Sequence, residues 1–205
     1  MKRRASLALL PAIVAAACGG SSTAPSTSSS GSAPAPLRAD VTDPVGDTLA
    51  DARVAVPPDL VRATITVASQ TLTLVVSFAP GTLARQTTRV TALLDTDLNA
   101  ATGIRQADGI GADFGLDFDA NGGQAAIIKA DPAGCAAGRS CFTNAGSAAI
   151  TFGADTMQAS VPLSALGGAD GRMTFELTSY AIVAPLTPVA FDFLPDINLA
   201  PARVQ

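Results

Sequence analysis

Apolar and polar side chains alternate with period two in short segments along most of this chain. Residues 60–67 and 71–78 alternate on either side of a polar turn, which predicts a β-hairpin. Further strand-like segments, separated by Gly, Asn, Asp and Pro, are residues 89–94, 113–119, 124–129, 148–152, 157–161, 173–179 and 188–193. One short helical turn is expected at 162–168, between Pro162 and two glycines. The pattern predicts an all-β protein, an antiparallel β-sandwich of jelly-roll-like type.

The first residues have the layout of an export signal. Three basic residues precede an apolar run at 5–17, which ends at Cys18 and is too short to span a membrane. This start resembles a bacterial lipoprotein signal, and the resemblance implies cleavage before Cys18 and acylation of that residue. A plain signal-peptidase site is the alternative. Gly19 offers no Asp retention signal, which favours the outer membrane or the cell surface.

Three segments are therefore expected. Residues 1–17 are the signal peptide, and 18–38 are a lipidated cysteine with a disordered linker rich in Ser, Thr, Ala, Pro and Gly. Residues 39–205 form a single β-sandwich domain of typical size.

The charged residues favour cations as partners. Loss of Lys2, Arg3 and Arg4 with the signal leaves ten basic residues against 17 acidic ones, a net charge near −7. This argues against nucleic acid as a partner. All the acids except Glu176 are aspartates, which favour turns and hard-cation sites.

Missing residue types exclude several kinds of chemistry. The sequence has no His and no Trp, and its only Tyr is Tyr180, so it lacks a Ser-His-Asp triad, a histidine base and the usual aromatic sugar platform. In an exported protein, Cys135 and Cys141 are expected to form a disulfide; a metal site there is the weaker interpretation.

The sharpest motif is a Ca²⁺-type loop after the apolar segment 89–94. Its oxygen ligands would be Asp95, Asp97, Asn99 and the carbonyl of Ala101. These supply about half of a calcium shell, which Asp108 or Asp113 would complete after the loop returns. Asx turns without a metal are the alternative.

Two other groups of acids have alternative interpretations. Asp43 or Asp47 can meet Asp192 or Asp196 around a second ion if the first and last strands are neighbours, or all can be ordinary acidic turns. Period-two spacing puts Asp113, Asp117 and Asp119 on one face of a strand, with Phe114, Leu116 and Phe118 facing the core. Two of these carboxylates suit a glycan hydrolase, but an outward acidic face is the commoner outcome.

Three motifs occur in an order that resembles the DOMON-like and family-9 carbohydrate-binding-like β-sandwiches of secreted bacterial proteins. They are Asp-Pro-x-Gly-Asp at 43–47, the acidic loop at 94–103, and Val-Pro-Leu-Ser-Ala-Leu-Gly at 161–167. The resemblance implies a noncatalytic module, often metal-stabilised, that binds a sugar, haem or another ligand. The missing Trp and His depart from the usual sugar and haem sites.

These observations predict a noncatalytic cell-envelope lipoprotein, a calcium-stabilised sandwich that acts as a ligand-binding or adhesion module. Its expected partners are the membrane, through the N-terminal lipid, and a glycan or an envelope protein. A hydrolase using Asp117 or Asp119, and a purely structural envelope protein, are the alternatives.

Overall fold

A computed structural model describes residues 35–184 and 186–205 of the chain. The predicted signal peptide, the lipidation site at Cys18 and the linker up to residue 34 lie outside these residues. The described strands are β1 (Leu37–Thr42), β2 (Leu60–Ala68), β3 (Thr71–Phe78), β4 (Thr88–Asp95), β5 (Ile104–Arg105), β6 (Gly111–Ala112), β7 (Phe114–Asp119), β8 (Gln124–Ala130), β9 (Phe142–Ala149), β10 (Thr151–Phe152), β11 (Thr156–Pro162), β12 (Met173–Val183), β13 (Thr187–Leu194) and β14 (Ala202–Val204).

The strands form two antiparallel sheets that share one core. The first sheet has the order β1-β2-β3-β11-β10 and the second the order β13-β12-β4-β7-β8-β9, with β14 paired to β12. Apolar side chains from both sheets, such as Leu74 and Leu116, are fully buried in a single cluster. The predicted antiparallel β-sandwich is therefore confirmed.

Period-two alternation accounts for the faces of these sheets. β3 alternates strictly between half-buried and buried positions, and in β7 the side chains of Phe114, Leu116 and Phe118 are buried while Asp117 and Asp119 are partly exposed. The β2–β3 hairpin turns at Ser69 and Gln70, both of which have positive φ. Two-residue turns with this conformation twist in the same sense as the two strands that they join.

Several elements differ from the sequence prediction in position or number. β1 begins at Leu37, two residues before the predicted domain start, and β14 near the C-terminus was not predicted. In β8 the side chain of Ile127 is buried in the core and that of Ile128 is only half-buried, because adjacent strand residues face opposite sides. Ile128 lies instead beside Gly115 of β7.

Two short helical segments connect strands. A 3-10 helix at Leu163–Leu166 lies in the predicted turn, with Pro162 before it and Gly167 in the left-handed conformation after it. A second, α1 (Pro132–Ala136), was not predicted and is capped by the Asp131 carboxylate, which accepts a hydrogen bond from Gly134 N.

The predicted disulfide between Cys135 and Cys141 is present, and it joins α1 to the start of β9. None of the helices in the described part of the chain has the length and apolar character needed to cross a membrane.

Candidate metal centre

Three carboxylates converge where β4 ends and β7 begins. One oxygen from each of Asp95, Asp97 and Asp113 lies within 4.8 Å of the others, and we call these residues the loop cluster. Calcium ligands lie 2.3–2.6 Å from the ion, so two ligands of one ion are at most about 5 Å apart. The spacing of the loop cluster therefore suits a single ion.

Antiparallel pairing explains why Asp113 meets Asp95. Leu94 of β4 is opposite Phe114 of β7, so the residues just beyond this pair become neighbours. The amide of Asp113 donates to the carbonyl of Leu94 at 2.9 Å, and its carboxylate accepts hydrogen bonds from the Thr96 amide at 3.0 Å and hydroxyl at 3.2 Å. The two ends of the 95–113 loop are thus held together by the sheet.

Hydrogen bonds within the loop orient the other two carboxylates. The Asn99 amide donates to Asp95 at 3.1 Å and to Asp97 at 2.9 Å, and the Thr102 hydroxyl donates to Asp97 at 3.0 Å. These are Asx-turn contacts of the kind expected for such a loop. They gather the carboxylates while leaving further oxygen lone pairs for another ligand.

The rest of the loop folds tightly on itself as a small hairpin of β5 and β6. Gly103 has φ +62°, and a Cβ on this residue would lie 2.3 Å from the carbonyl oxygen of Ala112. Only glycine fits both the backbone conformation and this close approach. The loop geometry that supports the cluster therefore depends on Gly103.

Charge is unbalanced at the loop cluster. Asp95 is 3% exposed, and burial together with the neighbouring Asp97 and Asp113 raises its pKa above the usual value. Within residues 35–184 and 186–205, no Lys or Arg forms an ion pair with these three acids; the ion pairs present use Asp40, Asp51, Asp119 and Asp170. A cation bound between the carboxylates would relieve their repulsion.

A cavity of about 500 Å³ opens beside the loop cluster. Its lining includes Asp97 and Asp113 together with Phe114, Lys129 and Leu166. The sequence did not single out Lys129, whose role in the cavity depends on β8 lying next to β7. The cavity thus joins acidic, basic and apolar groups.

The other predicted ligands are placed differently. The side-chain oxygen of Asn99 accepts a hydrogen bond from the Ala101 amide at 3.2 Å, an Asx turn. Asp108 lies away from the loop cluster, beside Glu176 at a second cavity of about 300 Å³. Burial, followed by contact with Asp108, raises the pKa of Glu176 to about 8.

The carboxylates considered for hydrolysis lie on the outer face of the second sheet. Asp119 forms an ion pair with Arg89 at 2.9 Å, and Asp117 accepts a hydrogen bond from the Thr91 hydroxyl at 3.2 Å. Both contacts are ordinary for partly exposed acids on a sheet, and nothing in their geometry positively indicates catalysis.

A second group of acids lies at the end of the sandwich where the beginning and end of the domain meet. Asp43 and Asp47, which follow β1, each place an oxygen within 4.8 Å of Asp192 on β13, and we call these three residues the sheet-end cluster. Burial and the charges of nearby acids raise the pKa of Asp43 to about 7 and that of Asp192 to about 6.

Fold and sites define the class as an acidic antiparallel β-sandwich with two carboxylate clusters. A scan against protein-family models and a search of curated protein sequences find no match for this chain. The likeness to the DOMON-like and carbohydrate-binding-like sandwiches stays a prediction.

Proposed function

We propose that this chain is a noncatalytic, calcium-stabilised binding module of the cell envelope, held at the membrane by lipid on Cys18. The observation that carries the calcium assignment is the convergence of Asp95, Asp97 and Asp113 within 4.8 Å. The chain supplies oxygen ligands here and contains no His, which favours a hard cation over zinc.

Calcium would serve the loop by joining its two ends. Asp95 and Asp97 begin the loop and Asp113 ends it, so one ion between them closes the whole segment. The loop carries only short pieces of strand, and its closure by hydrogen bonds alone leaves three negative charges in contact. Ion binding offsets that repulsion and so stabilises the folded state.

The cavity beside the loop cluster is the proposed ligand-binding surface. Asp97 is exposed and lines the cavity together with Asp113, so an ion held by them would face the cavity. Calcium takes six to eight ligands, more than three carboxylates supply, which leaves positions for oxygens of a ligand. A glycan hydroxyl or a carboxylate of an envelope protein has the required chemistry, and Lys129 would favour the latter.

The test is the melting temperature of the full chain after EDTA treatment and then during a calcium titration. We expect a saturable rise, since a ligand at about 100 times its dissociation constant adds about 2.7 kcal/mol for each site. Magnesium at equal concentration should have a smaller effect, because it retains its water and demands octahedral geometry.

Variants connect the response to the loop cluster. Asp97→Asn should remove the part of the rise that this cluster produces, whereas Asp170→Asn, which changes an exposed acid paired with Arg172, should leave the response intact. An Asp97→Asn chain that responds to calcium as the wild type does would contradict the assignment.

A further inference from the structure

The sheet-end cluster contains more than its three convergent carboxylates. Asp59, just before β2, is 5% exposed, and one of its oxygens accepts the Gly46 amide at 2.9 Å. Gly46 lies in the turn between Asp43 and Asp47, so the buried Asp59 carboxylate contacts this turn. Its negative charge also contributes to raising the pKa of both Asp43 and Asp192.

Two oxygens at this site have no hydrogen-bond partner in the described part of the chain. They are Oδ1 of Asp59 and Oδ2 of Asp43, and both are buried. A buried carboxylate oxygen without a partner is unfavourable, because it has lost its water and gained nothing in exchange. Water or a bound cation has to satisfy these atoms, and with four acids together a cation also offsets the charge.

Among the described residues, no Lys or Arg forms an ion pair with these acids. The ion pairs formed within 35–184 and 186–205 leave out all four acids, including the buried Asp59 and Asp192. Asp192 is 2% exposed, and its two oxygens accept hydrogen bonds from the amides of Leu60 and Phe193. These bonds fix the orientation of the carboxylate, and each oxygen retains a lone pair for an ion.

We propose that Asp43, Asp47 and Asp192, with the buried carboxylate of Asp59 beside them, form a second divalent-cation site, one that binds calcium and clamps the two sheets of the sandwich together. Asp43, Asp47 and Asp59 belong to the ends of β1 and β2 in the first sheet, and Asp192 to β13 in the second. Three converging carboxylates with a fourth beside them suit the larger, more variable shell of calcium better than that of magnesium, which keeps several waters and is usually bound through one or two carboxylates.

The clamp differs in kind from the closure of the 95–113 loop. The amide of Leu60 in β2 already donates to Asp192 in β13 at 2.5 Å, so the ion would reinforce an existing link between the sheets. The site is independent of the loop cluster, since it shares no residue with it.

Calcium binding to the full chain, counted by isothermal titration calorimetry at pH 7.5 after removal of metal with EDTA, tests the site. The variants are Asp47→Asn and Asp97→Asn, one for each cluster, with Asp170→Asn as a control for the loss of a surface charge. Asp47 and Asp97 are exposed, so both substitutions are compatible with folding, which circular dichroism would verify.

We expect the wild type and Asp170→Asn to bind two calcium ions and each cluster variant to lose one, or to bind it at least tenfold more weakly. Asp59→Asn should weaken the same ion as Asp47→Asn. If one ion binds and only Asp97→Asn removes it, the sheet-end site is wrong and the loop site stands. If one ion binds and only Asp47→Asn removes it, the sheet-end site stands and the loop site is wrong. Wild-type binding by Asp47→Asn overturns the sheet-end site.

Discussion

The loop cluster and the sheet-end cluster are both sets of three aspartates with oxygens within 4.8 Å, yet they are built in different ways. The loop cluster joins the two ends of one loop, whose carboxylates mostly accept hydrogen bonds from that same loop. The sheet-end cluster joins the beginning of the domain to its end, and the Leu60–Asp192 bond spans 132 positions in the sequence.

The two clusters should therefore stabilise different parts of the molecule, one a single loop and the other the whole domain. Opening the 95–113 loop removes contacts of a surface segment, while the two sheets keep their shared core. Opening the sheet-end cluster exposes Asp192 and the amide of Leu60, both buried where the sheets meet. The loop cluster should therefore act mainly on local opening, and the sheet-end cluster on the unfolding of the whole domain.

The largest expected effect comes from removing Asp192. In EDTA, so that no ion contributes, Asp192→Ala leaves the amides of Leu60 and Phe193 without their acceptor and should lower the free energy of unfolding by about 2–4 kcal/mol. Asp97→Ala should change it by less than about 0.5 kcal/mol, because Asp97 is exposed and water replaces its contacts. Urea denaturation of the full chain measures both values.

Asp192→Asn is the matched control, since it removes the charge but retains an acceptor for Leu60. It should be less destabilising than Asp192→Ala. Equal losses for Asp97→Ala and Asp192→Ala would erase the distinction between the two clusters.

A smaller effect should follow from a change in loop shape that touches no carboxylate. Gly103→Ala adds a Cβ that would meet the carbonyl oxygen of Ala112, so the β5–β6 hairpin has to shift. Gly109→Ala has the same problem of positive φ, but its Cβ meets nothing within 4 Å. The difference in loop stability between Gly103→Ala and Gly109→Ala therefore measures the cost of the steric clash, which should be about 1–2 kcal/mol.

The measurement is hydrogen exchange of the full chain with and without calcium. We expect Gly103→Ala to weaken protection only within residues 95–113 and to weaken calcium binding at the loop cluster, with the sheet-end cluster unaffected. If Gly109→Ala does the same, the loop cluster does not depend on the packing of Gly103.

The sequence was sufficient for much of the loop cluster. Asp95 and Asp97 follow a strongly alternating strand, but the pairing of that strand with β7 is seen only in the structure, where Leu94 lies opposite Phe114. That register brings Asp113 to Asp95. The segment between the two strands brings Asp108 to Glu176 of β12 instead. The course of the chain between 97 and 113 depends on tertiary packing, which the sequence alone does not reveal. For this reason Asp108 was predicted to be a calcium ligand.

The sheet-end cluster shows a different limit of sequence reasoning. The proximity of Asp43 or Asp47 to Asp192 followed from placing the first and last strands together, and the structure brings these residues together. The sequence assigned no role to Asp59, because burial cannot be read from a single charged residue before a strand. The structure shows its place through the hydrogen bond from the Gly46 amide and through its second oxygen, which is buried without a hydrogen-bond partner among the described residues.

The most gradual expected effect, spread over several pH units, separates the pair Glu176 and Asp108 from both metal clusters. The folded state raises the pKa of Glu176 from 4.5 to about 8, first through burial and then through Asp108. Between these values the folded chain holds a proton that the unfolded chain has released. In EDTA, this group therefore stabilises the fold fully below about pH 4.5, and its contribution is lost as the pH rises through about 8.

Glu176→Gln should remove this decline, so that the variant gains stability relative to the wild type as the pH increases. The difference should stay below about 1.4 kcal/mol for each pH unit, because one proton sets the upper limit and solvent reaches the half-buried side chain. Urea denaturation in EDTA from pH 5 to pH 9 measures this difference. Asp170→Asn is the control, because it removes a carboxyl group whose pKa is lowered, not raised, in the folded state. If the free energy of unfolding depends on pH in the same way for Glu176→Gln and the wild type, Glu176 is already ionised in the folded state. Glu176 and Asp108 would then be a further pair of acids that needs a cation.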